Sequence, residues 1–162
     1  VEAPGTSNDI ANLAVGRRIR AHGLDTHVPS HGSVRSGAVE LFLAGARRTA
    51  DRGALFAVHS WLDNHGREAD DFAPEDPAHR LYLDYYIEMG MSEERARDFY
   101  NMTNSVPHAT ALWLVADDMR YWLRPEHKPA PIIAYSDLTG VGLAQLTLAR
   151  LDSRLDSRLA FP

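Results

Sequence analysis

Residues 30–60, SHGSVRSGAVELFLAGARRTADRGALFAVHS, constrain this chain more than any other stretch. Ser36-Gly37-Ala38 reads as a turn into a helix whose apolar residues are Val39, Leu41, Phe42, Leu43 and Ala44. Residues 54–58 form an unbroken apolar run of strand length that ends on His59, the signature of a buried strand. A serine at the start of a helix and a histidine at the end of the next strand can meet at one edge of a sheet. The stretch therefore predicts a place for chemistry as well as a fold.

The flanks extend the alternation. Pro4-Gly5 reads as a strand end, Asn8 as a helix N-cap, and residues 9–22 as a helix with Asp9 at its start and Arg17, Arg18 and Arg20 late, as the helix dipole favours. Gly23 closes that helix, residues 24–28 make a short strand stopped by Pro29, and 47–50 a brief extended piece. Strand, helix, strand, helix, strand in this order argues an α/β fold with mostly parallel pairing. Residues 63–77 read as an acidic loop. Residues 77–90 read as a helix with Pro77 in its first turn, and Ser92 caps the next helix before Pro107 interrupts it. Residues 109–123 are expected to be helical. A proline-rich connector, a last strand at 132–135 and a C-terminal amphipathic helix with Leu143, Leu146, Leu148, Leu151, Leu155 and Leu159 complete the reading. The division is a core over 1–124 and a connector plus helix over 125–162, the latter either part of the same domain or an arm for oligomerisation.

At 162 residues and 44% apolar the chain suits one domain with one core. A net charge of −5 supplies no basic footprint for nucleic acid. No apolar run is long enough for a transmembrane helix. The absence of cysteine removes disulfides and thiolate zinc sites and leaves the compartment open.

Ser36 and His59 are residue types that chemistry asks for: a serine becomes a nucleophile when a base takes its proton, and histidine is the base suited to neutral pH. The competing reading of Ser36 is a helix N-cap, and that of His59 a strand-end histidine bonded to backbone. Ser33 is a second candidate nucleophile. Lys128, the one lysine among 17 basic residues, is the only possible lysine base. His59, Asp63, His65, Asp70, Asp71 and His79 could supply a divalent metal, although their spacing matches no compact ligand motif.

Pro4-Gly5 at a strand end, a helix, then Gly32-Ser33-Val34-Arg35-Ser36-Gly37-Ala38 and Phe56-Ala57-Val58-His59 together resemble the serine peptidase family of the Clp proteolytic subunit and the signal-peptide peptidases. Leu41-Phe42-Leu43-Ala44-Gly45 and Val58-His59-Ser60-Trp61 resemble a group of bacterial Clp-peptidase-like proteins. The likeness spans roughly residues 1 to 120. It implies the Clp/crotonase spiral of ββα units, with the spiral's first strands absent from this chain, either because it begins after a processing point or because that half of the fold is supplied differently, and a bacterial cytoplasm or periplasm. It implies Ser36 as nucleophile, His59 as general base, and backbone donors at Gly5, Thr6 and Gly37 as the oxyanion hole. The third member, an acid that orients the histidine, is expected between residues 98 and 110, with Asp98 and Asn104 as candidates. A peptide or protein substrate added along a strand edge, a homo-oligomeric assembly and no cofactor follow from the same likeness. It also leaves three alternatives: a non-catalytic Clp-like subunit, a crotonase-type acyl-CoA enzyme, and a metal-dependent hydrolase.

Overall fold

The computed structural model describes residues 2–124. The strand expected at 132–135, the connector carrying Lys128 and the C-terminal leucine helix lie outside the described residues.

Residues 2–58 run through one pattern twice. β1 (Glu2–Ala3), α1 (Asp9–Ala21) and β2 (Thr26–Val28) are followed by β3 (Ser33–Arg35), α2 (Gly37–Leu43) and β4 (Arg48–Ala50), after which β5 (Leu55–Val58) returns to the first sheet. β1, β3 and β5 pair in parallel, with Glu2 opposite Ser33 and Ser33 opposite Leu55. β2 and β4 form a separate parallel pair. Each unit thus contributes one strand to each sheet, with a helix between them. After the helices α3 (Pro77–Glu88) and α4 (Glu93–Thr103), β6 (Leu112–Val115) comes back antiparallel to β5, and α5 (Ala116–Trp122) follows. The protein is mixed α/β, as its sequence predicts. Among the described residues no helix is long and apolar enough to cross a membrane.

Local chemistry explains the helix ends. Asn8 Oδ1 accepts from the Ala11 amide at 3.0 Å, Asp76 from Ala78 with Pro77 at the first position, and Ser92 from Arg95. Each cap satisfies a donor that the first turn leaves unpaired. At the other end, Arg20 and Arg48 both donate to the carbonyls of Leu43 and Met89, joining the last turns of α2 and α3. Cations belong at helix C-termini, so these two arginines sit at the end of α2 farthest from Ser36.

α2 is the centre of the core. Val39, Phe42 and Leu43 are buried, and the Phe42 ring packs 4.9 Å from Phe56 of β5. On its other side Tyr85 of α3 passes α1 and donates its hydroxyl to the Glu40 carbonyl at 2.7 Å. Gly16 makes the passage: a Cβ there would collide with the Tyr85 hydroxyl and lie 2.9 Å from its Cζ. Gly16→Ala is therefore expected to destabilise the protein. Overpacking costs about 1–3 kcal/mol and the lost hydrogen bond about 1 more, against the ~1 kcal/mol that alanine ordinarily adds to a helix interior. A lowered urea midpoint with an unchanged slope is the expected measurement; a raised midpoint contradicts it.

One expectation needs correction, and one strand goes unpredicted. Residues 109–123 are not one helix: 112–115 form β6, and the helix begins at Ala116. Only Leu114 of β6 is buried, so the strand carries no clean alternation of apolar and polar residues. β3 is likewise a strand with a single apolar residue, Val34, between two polar ones.

Candidate active site

Ser36 joins β3 to α2 with φ 50° and ψ −134°. An L-residue other than glycine in that region stores strain of about 1–3 kcal/mol, which a protein keeps only where the surroundings enforce it. β3 supplies the enforcement. The Ser36 amide donates to the Ala57 carbonyl of β5 at 2.8 Å, and the Ser36 carbonyl accepts from Val39 at 2.8 Å. A sharp strand-to-helix turn of this kind holds a serine hydroxyl away from its own strand and helix. The N-cap reading fails, because the Ser36 side chain makes no capping hydrogen bond.

Ser36 and His59 line one cavity of about 330 Å³, at the small end of the usual range for ligand pockets of roughly 300–1,000 Å³. Among the residues around it are Thr6, Gly37, Asn104 and His108. Gly5 closes on the serine from β1: a Cβ there would overlap Ser36 Cβ and stand 2.6 Å from its Oγ and 3.2 Å from the Gly37 nitrogen. The chain after β1 thus runs against the hydroxyl and the first amide of α2 together. Gly37 is bounded in the same way, since a Cβ there would lie 2.5 Å from Thr6 Cγ2 and 3.0 Å from Asn12 Nδ2. Asn12 anchors the turn by donating to the Gly37 carbonyl at 2.6 Å. As the first residue of α2, Gly37 has an N–H with no intrahelical acceptor.

His59 follows β5 directly. Its Nδ1 stands 2.8 Å from the Ser60 carbonyl oxygen, which can only accept, so Nδ1 carries the proton and Nε2 holds the lone pair. No hydrogen bond joins Ser36 Oγ to the ring. In unliganded enzymes such bonds are often long and tighten when substrate binds.

The expected acid is not beside His59. Asp98 lies exposed on α4, away from the cavity. Asn104 lines the cavity but is committed elsewhere: its Nδ2 donates to the Tyr100 carbonyl at 2.7 Å and its Oδ1 accepts from the Trp61 amide at 3.4 Å. It pins the chain just after His59 and makes no hydrogen bond to the ring. The group that orients the imidazole is the Ser60 carbonyl, which the identities of Asp98 and Asn104 could not reveal.

Two further residues line the cavity: His108, which stands in the segment where the acid is sought but is not one, and Glu40, to which the sequence assigns no role. His108, from the approach to β6, places its ring edge-on to His59 at 4.4 Å and its Nδ1 3.0 Å from the same Ser60 carbonyl. Glu40, one helical turn after Ser36, is only 7% exposed and accepts from the Tyr86 hydroxyl at 2.9 Å. Burial pushes its carboxyl up to about 7, against a smaller downward pull from Tyr86. A lone acid between Val39 and Leu41 in an apolar helix is the signal that the sequence offers for it.

The other candidates disperse. Ser33 lies on β3 with a buried Oγ and does not line the cavity. Among the described residues no three His, Asp or Glu side chains gather as a metal would require. Asp63 instead takes the amides of His65 and Arg67 and the Arg67 guanidinium, and these bonds hold its carboxyl below the usual range. His79 donates from Nε2 to the Ala73 carbonyl at 2.9 Å and accepts at Nδ1 from the Tyr100 hydroxyl at 2.7 Å. Tyr100 in turn accepts from Trp61 Nε1 at 2.7 Å, which fixes the Trp61 wall of the cavity.

Compared with known proteins, the chain matches no family model, no curated protein and no solved structure.

The contact at Gly5 gives a direct test of the geometry. Gly5→Ala is expected to slow reaction of Ser36 with a fluorophosphonate by about a hundredfold, since displacement of a reacting group by about 1 Å costs that much. Unchanged labelling contradicts a close approach of β1 to the hydroxyl.

Proposed function

We propose that the protein is a serine hydrolase of the peptidase type, cleaving a peptide bond through Ser36 and His59. The observation that carries this reading is the strained, uncapped Ser36 turn opening on the same cavity as a histidine whose Nε2 is free to accept. Strain at a serine that neither caps its helix nor packs in the core has a reason if the hydroxyl reacts.

The steps follow from the groups present. Ser36 Oγ attacks the substrate carbonyl while its proton passes to His59 Nε2. The oxyanion that forms accepts hydrogen bonds from the Gly37 amide and from an amide of the Gly5-Thr6 segment, each worth about 10²–10³ in rate. Collapse breaks the C–N bond, His59 returns the proton to the leaving amine, and an ester on Ser36 remains. Water, deprotonated by His59, hydrolyses that ester and restores the serine. His59 keeps its orientation through the Ser60 carbonyl. That partner lacks the negative charge of an aspartate, so it fixes the tautomer without adding an ionic pull on the imidazolium.

Support for the Clp/crotonase spiral is the repeated order of sheet strand, helix and second-sheet strand, with Gly5 and Ser36 meeting where the family holds its oxyanion turn and nucleophile. A peptide strand would lie along an exposed sheet edge beside the site. The test is a fluorophosphonate probe followed by mass spectrometry. Adduct on the peptide containing Ser36, absent after Ser36→Ala, is the expected result; adduct elsewhere or none overturns the assignment.

A further inference from the structure

The cavity beside Ser36 is asymmetric in charge. Among the described residues its wall carries two carboxyl groups, Asp9 and Glu40, and no lysine or arginine. Asp9 lies near the Tyr82 hydroxyl, in the first turn of α1. Glu40 stands in α2 with its Oε1 held by Tyr86, and among the described residues neither of its oxygens has an ion-pair partner. The arginines that serve α2, Arg20 and Arg48, are spent on the carbonyls of Leu43 and Met89 at the opposite end of the helix. A carboxyl more than nine-tenths buried, lining a cavity to which the described residues bring no lysine or arginine, is costly to ionise.

The rest of the lining fits one kind of guest. Leu62 offers exposed apolar surface over buried Leu13 and Val58, while Trp61 and Tyr82 present rings stacked at an interplanar angle of 16°. Aromatic faces and carboxylates together favour a cation carried on an apolar stem. Distance agrees. Glu40 lies four residues beyond Ser36, a helical turn advances about 5.4 Å, and helical side chains lean toward the N-terminus, here toward the serine. The four-carbon stem of lysine covers a turn.

We propose that this cavity is the specificity pocket for a lysine or arginine side chain of the substrate, with Glu40 as its main partner and Asp9 as a second acid. The proposal rests on the serine-hydrolase reading for its biological use, but the cation site can be measured without it. Entry of an ammonium or guanidinium group gives the buried carboxylate the counter-ion that the protein itself withholds. An apolar side chain would leave Glu40 desolvated and unpaired.

Two measurements separate the site from the chemistry. In the first, two peptidyl diphenyl phosphonates, identical except for a lysine or a norleucine side chain at the phosphonate carbon, are compared for their rates of inactivation. The expected ratio is at least tenfold in favour of lysine, falling to about one in Glu40→Gln, with thermal melting confirming that the variant is folded. Because the ratio is taken within each protein, general loss of reactivity does not disguise it. A wild-type ratio near or below one, or the same ratio in Glu40→Gln, overturns the pocket even when a simple fluorophosphonate labels Ser36.

In the second, benzamidine is titrated while the fluorescence of Trp61 is followed, using Trp61→Phe to subtract the other tryptophans. Saturable binding that weakens at least tenfold in Glu40→Gln supports the site even if no probe ever labels Ser36. Absence of saturable binding overturns it.

Discussion

Ser36→Ala and His59→Ala should each lower the hydrolysis of an activated acyl ester by about 10⁴–10⁶-fold, and the double variant should be no slower than the slower single. A nucleophile and its base act as one unit, so removing the second after the first has little left to remove. What remains in each variant is binding and oxyanion stabilisation, on the order of 10³ over water, from amides that the substitutions leave in place. The comparison also tells the nucleophilic reading from a metal-bound or adventitious esterase, in which the two losses would be small or would multiply. His59→Gln adds a finer test. Glutamine can occupy the site but cannot shuttle a proton, so it should be as slow as alanine. Recovery with glutamine would reduce His59 to a spacer.

The same pair marks how far the amino-acid sequence alone reaches. The alternation of elements from Pro4 to His59 is legible because each piece carries a local signal: a cap at Asn8, a dipole-matched helix, and the apolar run of β5. Those elements set Ser36 and His59 on one cavity, so two of the site's members can be picked out from spacing. The φ of 50° at Ser36 is not legible, because serine favours no such value; it follows from β3 pairing with β5 on one side and Asn12 holding Gly37 on the other.

The partner of His59 is hidden for a different reason. A search for an acid looks at side chains, whereas His59 is oriented by the Ser60 main chain, and carbonyls carry no letter in a sequence. His108 falls in the segment where the acid is sought, but its contact with His59 is not legible, because it depends on the antiparallel return of β6, a pairing between residues far apart in the chain. Its segment resembles a helix because the aromatic and leucine residues at 112–115 do not alternate with polar ones. Glu40 escapes because a single acid on a helix normally marks the solvent face. Here α2 is enclosed by β5, by the start of α1 and by Tyr85 and Tyr86, so the acid points inward.

That inward acid makes the protein's stability depend on pH in a direction opposite to the usual carboxylate. Glu40 titrates at about 7 in the fold against 4.5 when exposed, because burial disfavours its charged form. Between those values the native state holds a proton that the unfolded chain has released, so stability falls as pH rises through the window. The contribution is whole below pH 4.5, and the penalty is fully developed above pH 7. A displacement of that size corresponds to roughly 3 kcal/mol at 1.36 kcal/mol per unit. Glu40→Gln keeps an oxygen for the Tyr86 hydroxyl and removes the charge. The variant should therefore melt about 6–12 °C higher than wild type at pH 8, given ~2–4 °C per kcal/mol for a chain of this size. Near pH 4.5 the two proteins should melt together. Equal melting at pH 8, or a difference that does not change with pH, would show that the carboxyl is not held against its solvation. The gap found at pH 8 should narrow when benzamidine is added, because the cation binds, and so stabilises, the protein that still carries the acid more than the variant.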